Sequence, residues 1–287
     1  MRSVQRLLCR LVLPVVVACS LAVPAGAAAR QTASTARLDP QGVQLVDSYL
    51  RRSRHATTAA ELGSANLTAR RIFTHVRGAS ATYDKRSIDT VATYVVRAGL
   101  PELKANLGSS LVVYNDSLGY VTKANLFELM KLSPDVLHRI RDAGTTIHVG
   151  DRPITTMAGL GTMDATPVRG HAAGERWADV GGAYSPSTNV VAAGRGNASY
   201  ARYTGTILHE LGHAYDAQTH ASSDPRFRAI LQSVGSQTDP YYAQPGDAGA
   251  QEYFADLCRA YWTGGTAKVD ADFGRQAAVW MTASVPR

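Results

Sequence analysis

Cysteine is nearly absent from this chain, with three in 287 residues, at Cys9, Cys19 and Cys258. The first two fall in "MRSVQRLLCRLVLPVVVACSLAVPAGAAAR", which has arginines at its start, an apolar centre and small residues at its end. That is the layout of an export leader, here with cleavage expected near Ala27 or Ala29. Once residues 1–29 are removed, Cys258 has no cysteine to pair with. An intramolecular disulfide and a zinc–cysteine cluster are then both excluded, and the fold must rest on its core. A long uninterrupted apolar run is missing too: Arg10, Pro14 and Pro24 break the leader, whereas a stable membrane span takes roughly 20 apolar residues. The expectation is a secreted protein, with a lipid anchor at Cys19 in "VVAC" as the alternative.

A dense basic face is also lacking, although the formal charge of +7 suggests one. Three of the arginines lie in the leader, and residues 30–77 hold eight more against Asp39, Asp47 and Glu61. Residues 78–287 sum to −1. Nucleic-acid binding calls for clustered cations interleaved with stacking aromatics, so it is not expected here. No G-x-S-x-G elbow and no cysteine beside a histidine offer a nucleophile, which argues against covalent catalysis. Gly159-x-Gly161 lacks the strand-then-helix flanks of a nucleotide loop.

What is there reads as a helical N-terminal segment, 30–105, accessory or a propeptide, followed by a domain at 106–287. "QGVQLVDSYLRR" and "SIDTVATYVVRAG" are helix-like, each closed by turn formers. "LVVYND" (111–116), "TTIHVGD" (145–151) and "STNVVAAG" (187–194) read as strands. Between the first two lies helical sequence, with Ser133-Pro134 starting a second helix and Gly144 ending it. Residues 158–188 are rich in Gly, Ala, Thr and Pro and read as a long surface excursion. Helices are expected near 199–219, 225–234, 249–262 and 270–284. Strands followed by helices predict an α+β arrangement.

Two histidines flank a glutamate in "TILHELGHAYDA" (206–217). Residues four apart share a helix face, so His209 and His213 point the same way and can take adjacent corners of a tetrahedral zinc site. Glu210 is turned about 100° from His209 and stands beside such an ion, where a base is wanted. Gly212 leaves room opposite the metal. The bland reading is a pair of core histidines. A third ligand ten residues after the first histidine would fall on Thr219; His220 misses by one and reads as surface. "GAQEYFADLCRAYW" instead offers Glu252, with Asp256 one turn on. Glu252 is either a solvated charge favoured by the helix dipole or, in a helix this apolar, a buried carboxylate that needs a partner.

With "LHELGHAYD", "QEYFAD", the apolar tail after it and "WADVGGAYSPSTNVVAAG" ahead of the motif, residues 110–287 resemble the anthrax lethal factor-like zinc metallopeptidases, which include the secreted Pro-Pro endopeptidases. The resemblance implies a gluzincin-type domain with a small mixed sheet and active-site helices. It implies one zinc per chain on His209, His213 and Glu252, with Glu210 as general base for a zinc-activated water. Asp256 would accept from a ligand histidine, and Asp216, the carboxylate after the second histidine and also counted behind the ligands, would have a structural role. A tyrosine before the glutamate ligand would meet the oxyanion, here Tyr241 or Tyr242, with Tyr242 favoured. The strand Asn189, Val190, Val191, Ala192 would be an edge on which substrate pairs antiparallel. Trp177 and Tyr184 either line the approach or are plain core. The expected protein is a monomeric secreted endopeptidase acting on extended peptide or protein substrates. The alternative is a non-catalytic, zinc-stabilised binding or adhesion module. Pro-Pro specificity does not follow from the motif.

Overall fold

A computed structural model describes residues 36–55, 59–78, 85–114, 118–165, 168, 176–196, 206–234 and 240–286. The expected leader lies outside them. Among the described residues no helix is long and apolar enough to cross a membrane.

A two-residue strand β1 (Arg37–Leu38) pairs antiparallel with β2 (Val76–Arg77) and brackets two helices, α1 (Pro40–His55) and α2 (Ala59–Phe73). Helix α3 (Lys85–Leu107) comes next and runs across the boundary expected between 105 and 106. Its Val95, Val96, Leu103 and Leu107 are fully or almost fully buried, in one continuous core with Tyr49 of α1, Ile72 of α2 and side chains from the sheet and the C-terminal helices. Burying a side chain of that size stabilises by about 1.5–3 kcal/mol. The N-terminal helices and the sheet and helices that follow them therefore share one source of stability.

The sheet is built from β3 (Leu111–Tyr114), β4 (Thr146–Gly150), β5 (Gly182–Ser185) and β6 (Val190–Ala193), in the spatial order β3-β4-β6-β5. β3, β4 and β6 run parallel, and β5 is antiparallel to β6. Helices α4 (Tyr120–Leu129) and α5 (Pro134–Asp142) form the crossover between β3 and β4. As the sequence predicts, α5 begins at Ser133-Pro134, where the Ser133 hydroxyl accepts the Val136 N–H at 3.4 Å. The chain then turns at Gly144 with φ 74°. Helix α4 is capped from a distance. Gly119 has no side chain to offer its first turn, and Asp151, just past β4, accepts the N–H groups of Val121 at 3.0 Å and Thr122 at 3.4 Å and the Thr122 hydroxyl at 2.6 Å. Removing such a cap costs about 1–2 kcal/mol. Asp151→Ala is expected to lower stability by that amount in urea unfolding; an unchanged midpoint would refute the capping role.

Alternation along the strands separates two faces. Ile147, Val149, Val191, Ala193 and Tyr184 face the helices. Ala183, Val190 and Ala192 face Ile154, Met157 and Leu160 in a second, smaller cluster, joined at its margin by Met163, Trp177 and Val180. The stretch expected as a surface excursion therefore supplies part of a lid over the sheet's far face. It also contains β5, which the sequence hid in "GGAYS", where glycines lower strand propensity. The α+β class holds, as a helix-rich fold with a small mixed sheet.

The C-terminal half carries α6 (Thr206–Thr219), α7 (Pro225–Val234), α8 (Ala248–Phe273) and α9 (Arg275–Ser284). Residues 199–205 of the expected 199–219 helix lie outside the described residues. Helix α8 runs past its expected end at 262, with a break at Gly265 (φ 66°), and α9 is set off by Gly274 (φ 93°). Phe227, Phe254, Tyr215, Trp262 and Trp280 pack ring against ring where these helices meet.

Candidate metal centre

Helices α6 and α8 bring the three expected ligands together. His209 Nε2 and His213 Nε2 each lie 3.1 Å from Glu252 Oε2 and 3.2 Å from one another. The two imidazole rings meet edge to face, with centroids 4.8 Å apart. A tetrahedral ion with nitrogen and oxygen donors at about 2.0–2.1 Å sets those donors about 3.3 Å apart, so this triangle fits an ion capping one side. The three residues form a group that can hold a metal ion. Two neutral imidazoles and a carboxylate suit zinc among other first-row divalent ions.

The helices come this close because of Gly212. A Cβ there would stand 2.8 Å from Ala255 Cα and 3.1 Å from Cys258 Cβ, so the missing side chain admits the α8 backbone rather than opening space at the metal. Cys258 itself is buried beneath this contact, and burial pushes its thiol up.

Asp256 stands behind His209, with Oδ1 2.8 Å from its Nδ1. Arg259, which no sequence motif singles out, reaches the same oxygen at 3.0 Å. Burial alone would raise the Asp256 pKa, but the His209 hydrogen bond and the charges of His209 and Arg259 outweigh it and hold the group as a carboxylate. Glu252 behaves alike: against its burial, hydrogen bonds from both histidines keep its carboxyl well below the usual range. His209 is pulled upward by Asp256, Glu252 and Glu210 despite its burial. A metal ion can replace that proton as the positive charge of the cluster.

Asp216 is bonded within its own segment. Its carboxylate accepts the Ser222 N–H at 2.6 Å and the Ser222 hydroxyl at 2.7 Å, which fastens the turn after α6 and touches no ligand histidine. His220 is exposed, as its spacing predicts. It adopts the left-handed conformation (φ 54°) that ends α6.

Glu210 is buried beside the triangle, and burial, followed by the charges of Glu252 and Asp256, raises its pKa against the pull of the histidines. Strand β5 crosses directly over it. A Cβ on Gly182 would fall 3.0 Å from Glu210 Cγ and 2.4 Å from Thr206 Cγ2, so only glycine lets the strand lie so near the carboxylate. Sequence reasoning missed Gly182 because nothing local connects "VGGAY" to a helix more than twenty residues on.

The structure corrects the expected substrate edge. β6 is an interior strand, paired with β4 on one side and β5 on the other, and Val190, Val191 and Ala192 are buried. Asn189 is the turn residue before it (φ 52°), tied to Thr145 at 3.0 Å and to the Ala143 carbonyl at 3.0 Å. The edge strand that passes over Glu210 is β5. Gly194 N–H donates to the Gly181 carbonyl, so along this antiparallel pair residues 181, 183 and 185 bond inward. Gly182 and Tyr184 turn their backbone groups outward. Tyr184 packs its ring on the main core and donates to Asn189 at 3.3 Å, and Trp177 packs at the margin of the smaller cluster.

The two tyrosines have different partners. Both ride on a short 3-10 turn, Pro240–Ala243, ahead of α8. The Tyr242 hydroxyl donates to Asp256 Oδ2 at 2.6 Å, the carboxylate oxygen that His209 does not use. The Tyr241 hydroxyl is hydrogen-bonded to Glu252: burial, then the charge of Glu252 and that bond, push its pKa up, and Glu210 lies within electrostatic reach. Tyr241 thus bonds a member of the triangle, and Tyr242, the favoured one in the sequence, bonds Asp256 behind it.

No family model matches this chain, and no curated protein matches it significantly. Among solved structures, the Pro-Pro endopeptidase PPEP-2 from Paenibacillus alvei superposes with a TM-score of 0.49 at 19% identity, over 62% of this chain and 99% of that one. A likeness at that level decides neither activity nor substrate, and the site must be read from its own geometry.

Proposed function

We propose that the protein is a secreted zinc-dependent endopeptidase. One observation carries the reading: a three-donor triangle from two helices with a buried carboxylate, Glu210, at its side and a tyrosine hydroxyl bonded to its glutamate. A structural zinc site fills all four positions with protein donors and has no use for a base. Export rests on the leader sequence alone.

A zinc ion held by His209, His213 and Glu252 would supply a Lewis acid for the scissile carbonyl and an acidified water. The chain's own groups do the rest. Glu210, buried beside the triangle, takes the water's proton and returns it to the leaving amine. The Tyr241 hydroxyl donates to the oxyanion as charge develops there. The outward backbone groups of Gly182 and Tyr184 pair with an extended peptide laid along β5.

Metal analysis tests the premise. About one zinc per chain is expected after dialysis, lost to a chelator together with cleavage of a peptide library. His213→Ala/Glu252→Ala is expected to retain none, and full occupancy in that double variant would refute the ligand set. Zinc bound without any peptide cleavage would favour the alternative of a binding module.

A further inference from the structure

We propose that Tyr242 is a positioning residue for the metal centre, setting the orientation of His209 through Asp256. The proposal rests on the metal-binding reading above and concerns a residue that never touches the ion.

The contacts run in one line. The Tyr242 hydroxyl donates to Asp256 Oδ2 at 2.6 Å, a short hydrogen bond to a charged acceptor. The other carboxylate oxygen, Oδ1, serves His209 Nδ1 at 2.8 Å and Arg259 at 3.0 Å. Both oxygens are therefore engaged, and the carboxylate cannot swivel without breaking bonds on both sides. With Nδ1 held, the His209 ring presents Nε2 to the triangle, 3.1 Å from Glu252.

Tyr242 is itself held at both ends. A Cβ on Gly249 would stand 2.0 Å from the Tyr242 carbonyl oxygen, so the turn is pressed onto the first turn of α8, immediately ahead of Glu252. Its ring meets Tyr253 edge to face at 5.1 Å and 85°. One helix thus carries the glutamate ligand, the carboxylate behind the histidine ligand and the seat of the tyrosine that braces it. Without the hydroxyl, Oδ2 loses its donor and Asp256 is free to turn towards Arg259, away from His209.

Outer partners of a metal-bound histidine commonly change affinity by about 10–100-fold. Zinc affinity, measured on the full chain by competition with a chromophoric chelator, is expected to fall about tenfold in Tyr242→Phe and further in Asp256→Asn. The double variant is expected to match Asp256→Asn alone, because the tyrosine acts only through that carboxylate. A merely structural loosening would instead add to the Asp256 loss. Tyr215→Phe, which removes a hydroxyl bonded to the Ser284 carbonyl, is expected to bind zinc like the wild type. Unchanged affinity in Tyr242→Phe, or losses that add in the double variant, would overturn the proposal while leaving the metal centre intact. Failure of the wild-type chain to take up zinc would overturn the metal centre and the proposal together.

Discussion

Glu210→Gln is expected to leave zinc content and melting temperature near wild type while lowering peptide turnover by about a hundred- to ten-thousandfold. The substitution keeps the shape of the side chain beneath Gly182, so β5 need not move. It removes only the capacity to accept a proton. The neighbouring carboxylates are committed elsewhere: Asp256 is bonded to His209 and Tyr242, and Glu252 is bonded to both histidines. Parallel measurement of metal content and of cleavage of one peptide decides the point. Turnover within tenfold of wild type, with metal retained, would remove Glu210 from the reaction.

Tyr241→Phe is expected to cost about a hundredfold in kcat with little change in KM. The lost hydrogen bond is one that strengthens as the carbonyl oxygen takes up charge, and the ground state uses it little. The phenyl ring remains, so its packing against Tyr242, centroid to centroid at 6.0 Å, is preserved. The contrast with Tyr242→Phe is diagnostic. That variant is expected to recover near wild-type kcat once zinc is saturating, because its hydroxyl acts on how firmly the ion is held. A large loss of kcat in Tyr242→Phe at saturating zinc, with Tyr241→Phe unaffected, would reverse the two roles.

The divide between what was legible in the sequence and what was not tracks the range of the forces involved. His209 and His213 could be paired on one face from helical periodicity alone, and Glu252 with Asp256 from the same rule one helix later. The start of α5 at Ser133-Pro134 and its stop at Gly144 are likewise local choices, made by a hydroxyl, a fixed φ and a missing Cβ. These survive in the structure because a few consecutive residues suffice to specify them.

The rest depended on contacts between distant segments. "STNVVAAG" reads the same as an edge or an interior strand; only the arrival of β5, from a glycine-rich stretch with weak propensity, closes its second side. Adjacent tyrosines on one turn are interchangeable in sequence, and the seat of that turn on Gly249 is what sends one hydroxyl to Glu252 and the other to Asp256. Asp216 can be read as structural from its place after the second histidine, but its partner, Ser222, is supplied by the fold of the next turn. Local periodicity determined which residues share a helix face, His209 with His213 and Glu252 with Asp256. Sheet order and close glycine contacts, which act between segments far apart in the chain, decided which strand lies over Glu210 and which hydroxyl reaches Glu252.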